Sequence, residues 1–118
     1  MMKKIIFALA LLSLSPWALA ECKNANVYDD IACYEKELKS SKSQLNQTYQ
    51  KLYGVLDSEG KTILERAQKD WLQYKNSHCD ELQAYIARES LGAGSKLINL
   101  SCNAELIQDR IRELKGFQ

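Results

Sequence analysis

The sequence predicts an all-α domain: an antiparallel helical hairpin followed by a shorter third helix, stapled by two disulfides. Apolar residues recur at threes, fours and sevens, and nothing alternates at period two for the length of a strand. The single proline, Pro16, precedes every periodic segment. Four cysteines are spread over a chain of 118 residues, an even count that reads as a disulfide framework in a small exported domain.

The first 20 residues are the export signal. Lys3 and Lys4 precede an apolar run from Ile5 to Leu14 that is too short to span a bilayer and ends at Ser15-Pro16. Ala18-Leu19-Ala20 follows, the small-x-small pattern cut by signal peptidases, so cleavage is expected between Ala20 and Glu21. Lipid attachment at Cys22 would need a small residue before it, and Glu21 stands there. The expected product is periplasmic or secreted, with no membrane anchor and no lipid.

Residues 21–118 form one domain at this length. Loss of Lys3 and Lys4 leaves 14 basic against 15 acidic groups. That balance gives no electrostatic basis for binding nucleic acid or an anionic membrane. A chain this short buries about two-thirds of its unfolded surface, so covalent cross-links matter to its stability.

Leu38, Leu45, Tyr49, Leu52 and Leu56 lay one apolar stripe along a first helix starting near Asp30, with Asp29 and Asp30 as candidate caps. Asp57-Ser58-Glu59-Gly60 supplies turn chemistry, and Asp57 or Ser58 caps the next helix. The stripe resumes at Ile63, Leu64, Ala67, Trp71 and Tyr74 and continues to Leu82, Tyr85 and Ile86. The segment Glu89 to Ser95 holds two glycines and is expected to be the one substantial loop. A third helix follows from about Ser101, with Leu106, Ile107, Ile111 and Leu114 on one face.

All four cysteines lie beyond the leader, and their spacing lacks the close pairs of a metal site, so neither a metal nor a cofactor is expected. Three connectivities are open. Cys33 and Cys79 both fall at the open end of the expected hairpin, which favours Cys33–Cys79 with Cys22–Cys102. Cys33–Cys102 with Cys22–Cys79 is nearly as feasible. A bridge over loops of that size contributes about 4 kcal/mol in the chain-entropy model.

Catalytic parts are missing. His78 is the single histidine, the thiols are expected to be oxidised, and no nucleophile lies beside a base. The carboxylates Glu35, Asp80 and Glu81 are ordinary surface acids of a soluble helical protein, so no enzyme is expected. The sequons at 46–48 and 99–101 are accidental in a bacterial product.

The order Cys33, Leu45-Asn46 with Tyr49, Gln68 with Trp71, Tyr74 and Cys79, then Gly94-Ser95, Cys102, Arg110 and Leu114 resembles the LprI-type lysozyme-inhibitor family over nearly all of the mature chain. It departs from that pattern at Lys75-Asn76, where the family usually shows arginine and aspartate, and at Gly92-Ala93-Gly94-Ser95. The resemblance implies a protein partner, a lysozyme or another cell-wall hydrolase, occluded without chemistry. A structural or adaptor protein of the envelope is the other reading. Asn46, Tyr49, Gln68, Trp71, Tyr74 and Arg110 are expected to be structural, the aromatics in the core and the polar groups between helices. Gly92, Gly94, Ser95 and Lys96 are the candidate partner-binding residues, since glycines in a loop permit close backbone approach. Ser95 or Lys96 would enter between the two carboxylates of a hydrolase cleft. The acidic cluster Asp29, Asp30, Glu35 and Glu37 is an alternative contact surface for a basic enzyme.

Overall fold

The computed structural model describes residues 22–23, 26–89 and 92–118. The expected cleavage site at Ala20 and Glu21 lies outside them. The described residues are helical almost throughout and contain no strand.

Helix α1 spans Val27–Val55. It starts three residues earlier than periodicity indicated because Asn26 is the cap, its side chain accepting from the Tyr28 amide at 2.8 Å. Asp29 and Asp30 sit in the first turn instead, where their charge complements the helix dipole. The chain turns at Leu56-Asp57. Asp57 caps α2, Ser58–Asn76, by accepting from the Gly60 amide at 2.8 Å. A Cβ on Gly60 would stand 3.1 Å from the Leu56 Cβ and 3.3 Å from the Asp57 carboxylate, so the tight turn selects the residue with no side chain.

Helix α2 continues without a break through a π-helical segment, Ser77–Leu82, into α3, Gln83–Ile86, and a 3₁₀ turn, Ala87–Glu89. Gly92, at φ +61°, turns the chain, and α4 runs Ala93–Lys115. The third long helix is therefore neither short nor preceded by a long loop: Gly94, Ser95 and Lys96 belong to its first turns. One glycine near a helix end costs little, and a cross-strut between Lys96 and Glu35 of α1, 2.9 Å, holds that end down.

Helix α1 packs mainly along α4, with α2 laid more openly beside the pair. Leu45 and Leu52 of α1, Leu64 of α2, and Ile107, Ile111 and Leu114 of α4 form the core, flanked by Leu38, Tyr49, Tyr53, Leu56 and Trp71. The buried polar residues Ser41, Thr48, Lys75 and Asn103 are each hydrogen-bonded, as burial requires.

The disulfides are Cys22–Cys33 and Cys79–Cys102, the third of the possible connectivities. Both expected cross-hairpin pairings, Cys33–Cys79 with Cys22–Cys102 and Cys33–Cys102 with Cys22–Cys79, are corrected. They presumed α1 and α2 in close contact at their open end. Instead α4 is the neighbour of both, so Cys79 meets Cys102 across that seam and Cys22 folds back onto Cys33. The loops closed, 11 and 23 residues, are shorter than those expected, and each bridge contributes about 3 kcal/mol in the same model.

The second stripe is also corrected. Tyr74, expected in the core, is 54% exposed, and Ile63, Ala67, Leu82, Tyr85 and Ile86 are exposed as well. The face turned to α4 is Lys75, Cys79, Gln83 and Ala87, at steps of four residues. An α-helix drifts off such a row by about 40° per step, and the wider π turn removes much of that drift.

Candidate functional site

Two surfaces and one corner hold the candidate residues. The first surface is a groove of about 430 Å³ between α1 and α2, floored by Leu45 and Ile107 and walled by Tyr49, Trp71 and Leu72. Asn46 and Gln68 stand on its sides, with Lys42 and Lys75 at the end away from the turn. Four residues expected to be structural, Asn46, Tyr49, Gln68 and Trp71, therefore meet at one concavity. Arg110 of α4 lies behind it. Its Nε donates to the Gln68 Oε1 at 3.0 Å, its Nη1 pairs with Glu113 at 2.9 Å, and its guanidinium lies 5.8 Å from the Trp71 ring centre. This cation over an indole fixes the pose of the groove's largest wall.

A polar network joins the groove to the second disulfide. Lys75 is 8% exposed, and its ammonium donates to Asn103 Oδ1 at 2.7 Å and Asn76 Oδ1 at 3.0 Å. Asn103 donates in turn to Asp80 at 3.2 Å and to the Asn99 carbonyl at 2.9 Å. Asn99 donates to Asp80 at 2.7 Å and to the Cys79 carbonyl at 3.4 Å. The amide of Asn103 thus stands between a buried cation and its nearest anion. Burial holds the Lys75 ammonium below the usual lysine range, against the pull of Asp80 and with the push of Lys42. The Asn99 hydrogen bond, followed by Asn103, Lys75 and Lys42, holds the Asp80 carboxyl below its ordinary value in spite of burial. A carboxyl so held is an ionised anchor and a poor general acid.

The second surface is the outer face of α2 and its continuation. Tyr74, His78, Leu82 and Ile86 follow at four-residue steps, one position before the buried row. Tyr74 and His78 stack at 5.5 Å, and Arg88 lies 4.3 Å over the Tyr85 ring. Tyr85 is 63% and Ile86 68% exposed. Beneath them Cys79, wholly buried, is bonded to Cys102. This convex apolar ridge is pinned from behind.

The corner, the expected binding loop, is mostly helix. Gly92 takes the positive φ, Gly94 and Ser95 are half-buried, and the Lys96 ammonium is engaged by Glu35. That ion pair also divides the acidic cluster: Glu35 is neutralised, and Glu37 is half-buried with its carboxyl pushed up by desolvation. Cys22, Cys33 and Glu37 lie within 4.8 Å of one another, but both sulfurs are spent on a disulfide, which leaves one carboxylate as a ligand.

Sequence reasoning missed Lys42, Leu72 and Lys75 in the groove and Tyr85 with Arg88 on the ridge. Lys75 stood out in the sequence only as a departure, with Asn76, from the family pattern.

The family model described as Lysozyme inhibitor LprI matches residues 22–114. The chain belongs to the LprI family. Neither the curated proteins nor the solved structures compared with it gave a significant match. The LprI match spans both disulfides, the groove and the ridge, and the family is one of inhibitors rather than enzymes. Two disulfides suit an LprI protein of an oxidising compartment. Among the described residues, no helix is long and apolar enough to cross a membrane.

Proposed function

We propose that this LprI protein is exported after cleavage between Ala20 and Glu21, and that it binds a lysozyme-type cell-wall hydrolase by seating its convex ridge in the enzyme's cleft. The observation that carries this reading is the exposed row of Tyr74, Leu82, Tyr85 and Ile86 on a segment cross-linked from behind. A hydrolase cleft is concave, so its complement is a projection. The ridge is the projecting apolar surface, whereas the groove is itself concave. Tyrosine and arginine are the residue types that dominate binding energy when desolvated, and a pinned backbone loses little entropy on docking. Arg88, stacked on Tyr85, brings a guanidinium where paired catalytic carboxylates would accept from it.

Inhibition assays with the oxidised protein, produced from residue 21 onward, against several lysozyme types test this. The expected result is stoichiometric inhibition of at least one type, weakened about tenfold or more by Tyr85→Ala and by Arg88→Ala. Both side chains are exposed, so their removal leaves the fold intact. Absence of inhibition across all types overturns the reading in favour of an envelope adaptor.

A further inference from the structure

The groove between α1 and α2 carries a chemistry that the ridge does not. Its floor and walls are apolar or aromatic, no acidic group among the described residues lines it, and its polar side chains are two lysines and two amides, besides the Tyr49 hydroxyl. Gln68 has a fixed sense. Arg110 occupies its carbonyl oxygen, so the amide hydrogens are the part left for the groove. Lys75 has three ammonium hydrogens, of which Asn103 and Asn76 take two. Lys42 stands near enough to disfavour the charge on Lys75, and Asp80 reaches Lys75 only through the Asn103 amide. Two lysines at one end of an apolar trough share one carboxylate, Asp80, which stands outside the lining, and so leave the site short of one anion.

We propose that the groove binds an extended segment of a partner protein that carries a carboxylate side chain between apolar residues. The carboxylate lies between Lys42 and Lys75, a neighbouring backbone carbonyl accepts from the Gln68 amide, and an apolar side chain rests on Tyr49, Trp71 and Leu72. Arg110 acts as a positioning residue, holding both Gln68 and Trp71. This site is separate from the ridge, and its occupancy does not depend on whether a hydrolase is inhibited.

Trp71 is the only tryptophan after residue 20, so its emission reports on the groove directly. The probes are two capped pentapeptides, one with a glutamate between two leucines and one with glutamine in its place. The glutamate peptide is expected to change Trp71 emission saturably, and the glutamine peptide to bind about tenfold more weakly. Lys42→Ala, at an exposed position, is expected to lower the affinity for the glutamate peptide about fivefold, while Tyr85→Ala leaves it unchanged. No saturable change up to about 1 mM, a weak-binding limit, overturns the proposal. So does equal affinity for the two peptides, or an unaltered affinity in the Lys42 variant.

Discussion

The Lys75 ammonium donates to the Asn103 side chain at 2.7 Å in the seam between α2 and α4, two buried groups 28 residues apart in sequence. Neither has an apolar reason to be there, and each is the other's desolvation partner. Asn103→Ala therefore leaves a buried cation short of an acceptor and is expected to cost about 3 kcal/mol. Lys75→Met keeps the volume and removes the charge, so its cost is expected to be about 1 kcal/mol. Urea unfolding of the two variants gives the comparison, and equal losses would refute the pairing argument.

Asp80 sets the acid limb of stability. Its folded carboxyl titrates below its unfolded value, so its contribution is complete above about pH 4 and is lost as pH falls through the lower folded value. Lys75 has the opposite consequence at the alkaline end. Its ammonium is disfavoured in the fold, so stability rises as pH climbs through the lowered folded value towards the ordinary lysine value of about 10.4. Melting temperatures of Asp80→Asn across the acid range are expected to show a flatter limb than the wild type, with a loss of about 1 kcal/mol at neutral pH for an exposed acceptor. An unchanged limb would show that Asp80 is not its source.

The two bridges should differ in worth. Cys79–Cys102 joins two long elements through a wholly buried sulfur, whereas Cys22–Cys33 ties an arm to the helix that follows it. Paired Cys→Ala replacement at 79 and 102 is expected to cost about 3 kcal/mol in chain entropy and more for the vacated space. The same change at 22 and 33 removes about as much chain entropy but disturbs no packing between helices. Peptide mapping of the unreduced protein checks the connectivity, and a fragment joining residues 33 and 79 would contradict it.

Asp57→Ala removes the cap of α2 and is expected to cost about 1 kcal/mol. Asp57→Asn should recover most of the loss, because an amide oxygen also accepts from the Gly60 amide. Thermal melts of both variants decide whether the cap or the charge matters.

Replacing Ser95 and Lys96 together by alanine is expected to leave hydrolase inhibition nearly unchanged. Lys96 spends its charge on Glu35 at the surface, a pair worth at most about 1 kcal/mol of stability. A large loss of inhibition would return the binding site to the corner before α4.

What was legible depended on regular periodicity. Leu45, Leu52, Leu64, Ile107, Ile111 and Leu114 follow an undistorted α pattern, and they are the core. Asp57 was readable as a cap because turn chemistry is local. The face of α2 was misread past Trp71: a step of four from Trp71 puts Lys75 inward rather than Tyr74, and the π turn then keeps Cys79, Gln83 and Ala87 on that row where a period of 3.6 put Leu82, Tyr85 and Ile86. Disulfide pairing failed for a related reason. It is set by which helices are neighbours, and neighbourhood is a tertiary property. The groove was invisible because it joins residues of three helices, although four of its members had been singled out separately.

The π-helical segment Ser77–Leu82 acts as a phase adjuster between two halves of a long rod. Winding the same residues as a plain α-helix would rotate everything downstream by about 100° relative to everything upstream. Cys79 and Ala87 could then no longer face α4 together, and Tyr85 and Arg88 would swing around the axis. The single surplus residue in that turn is what lets one continuous rod present a sealed seam to its neighbour and an aromatic edge to the outside.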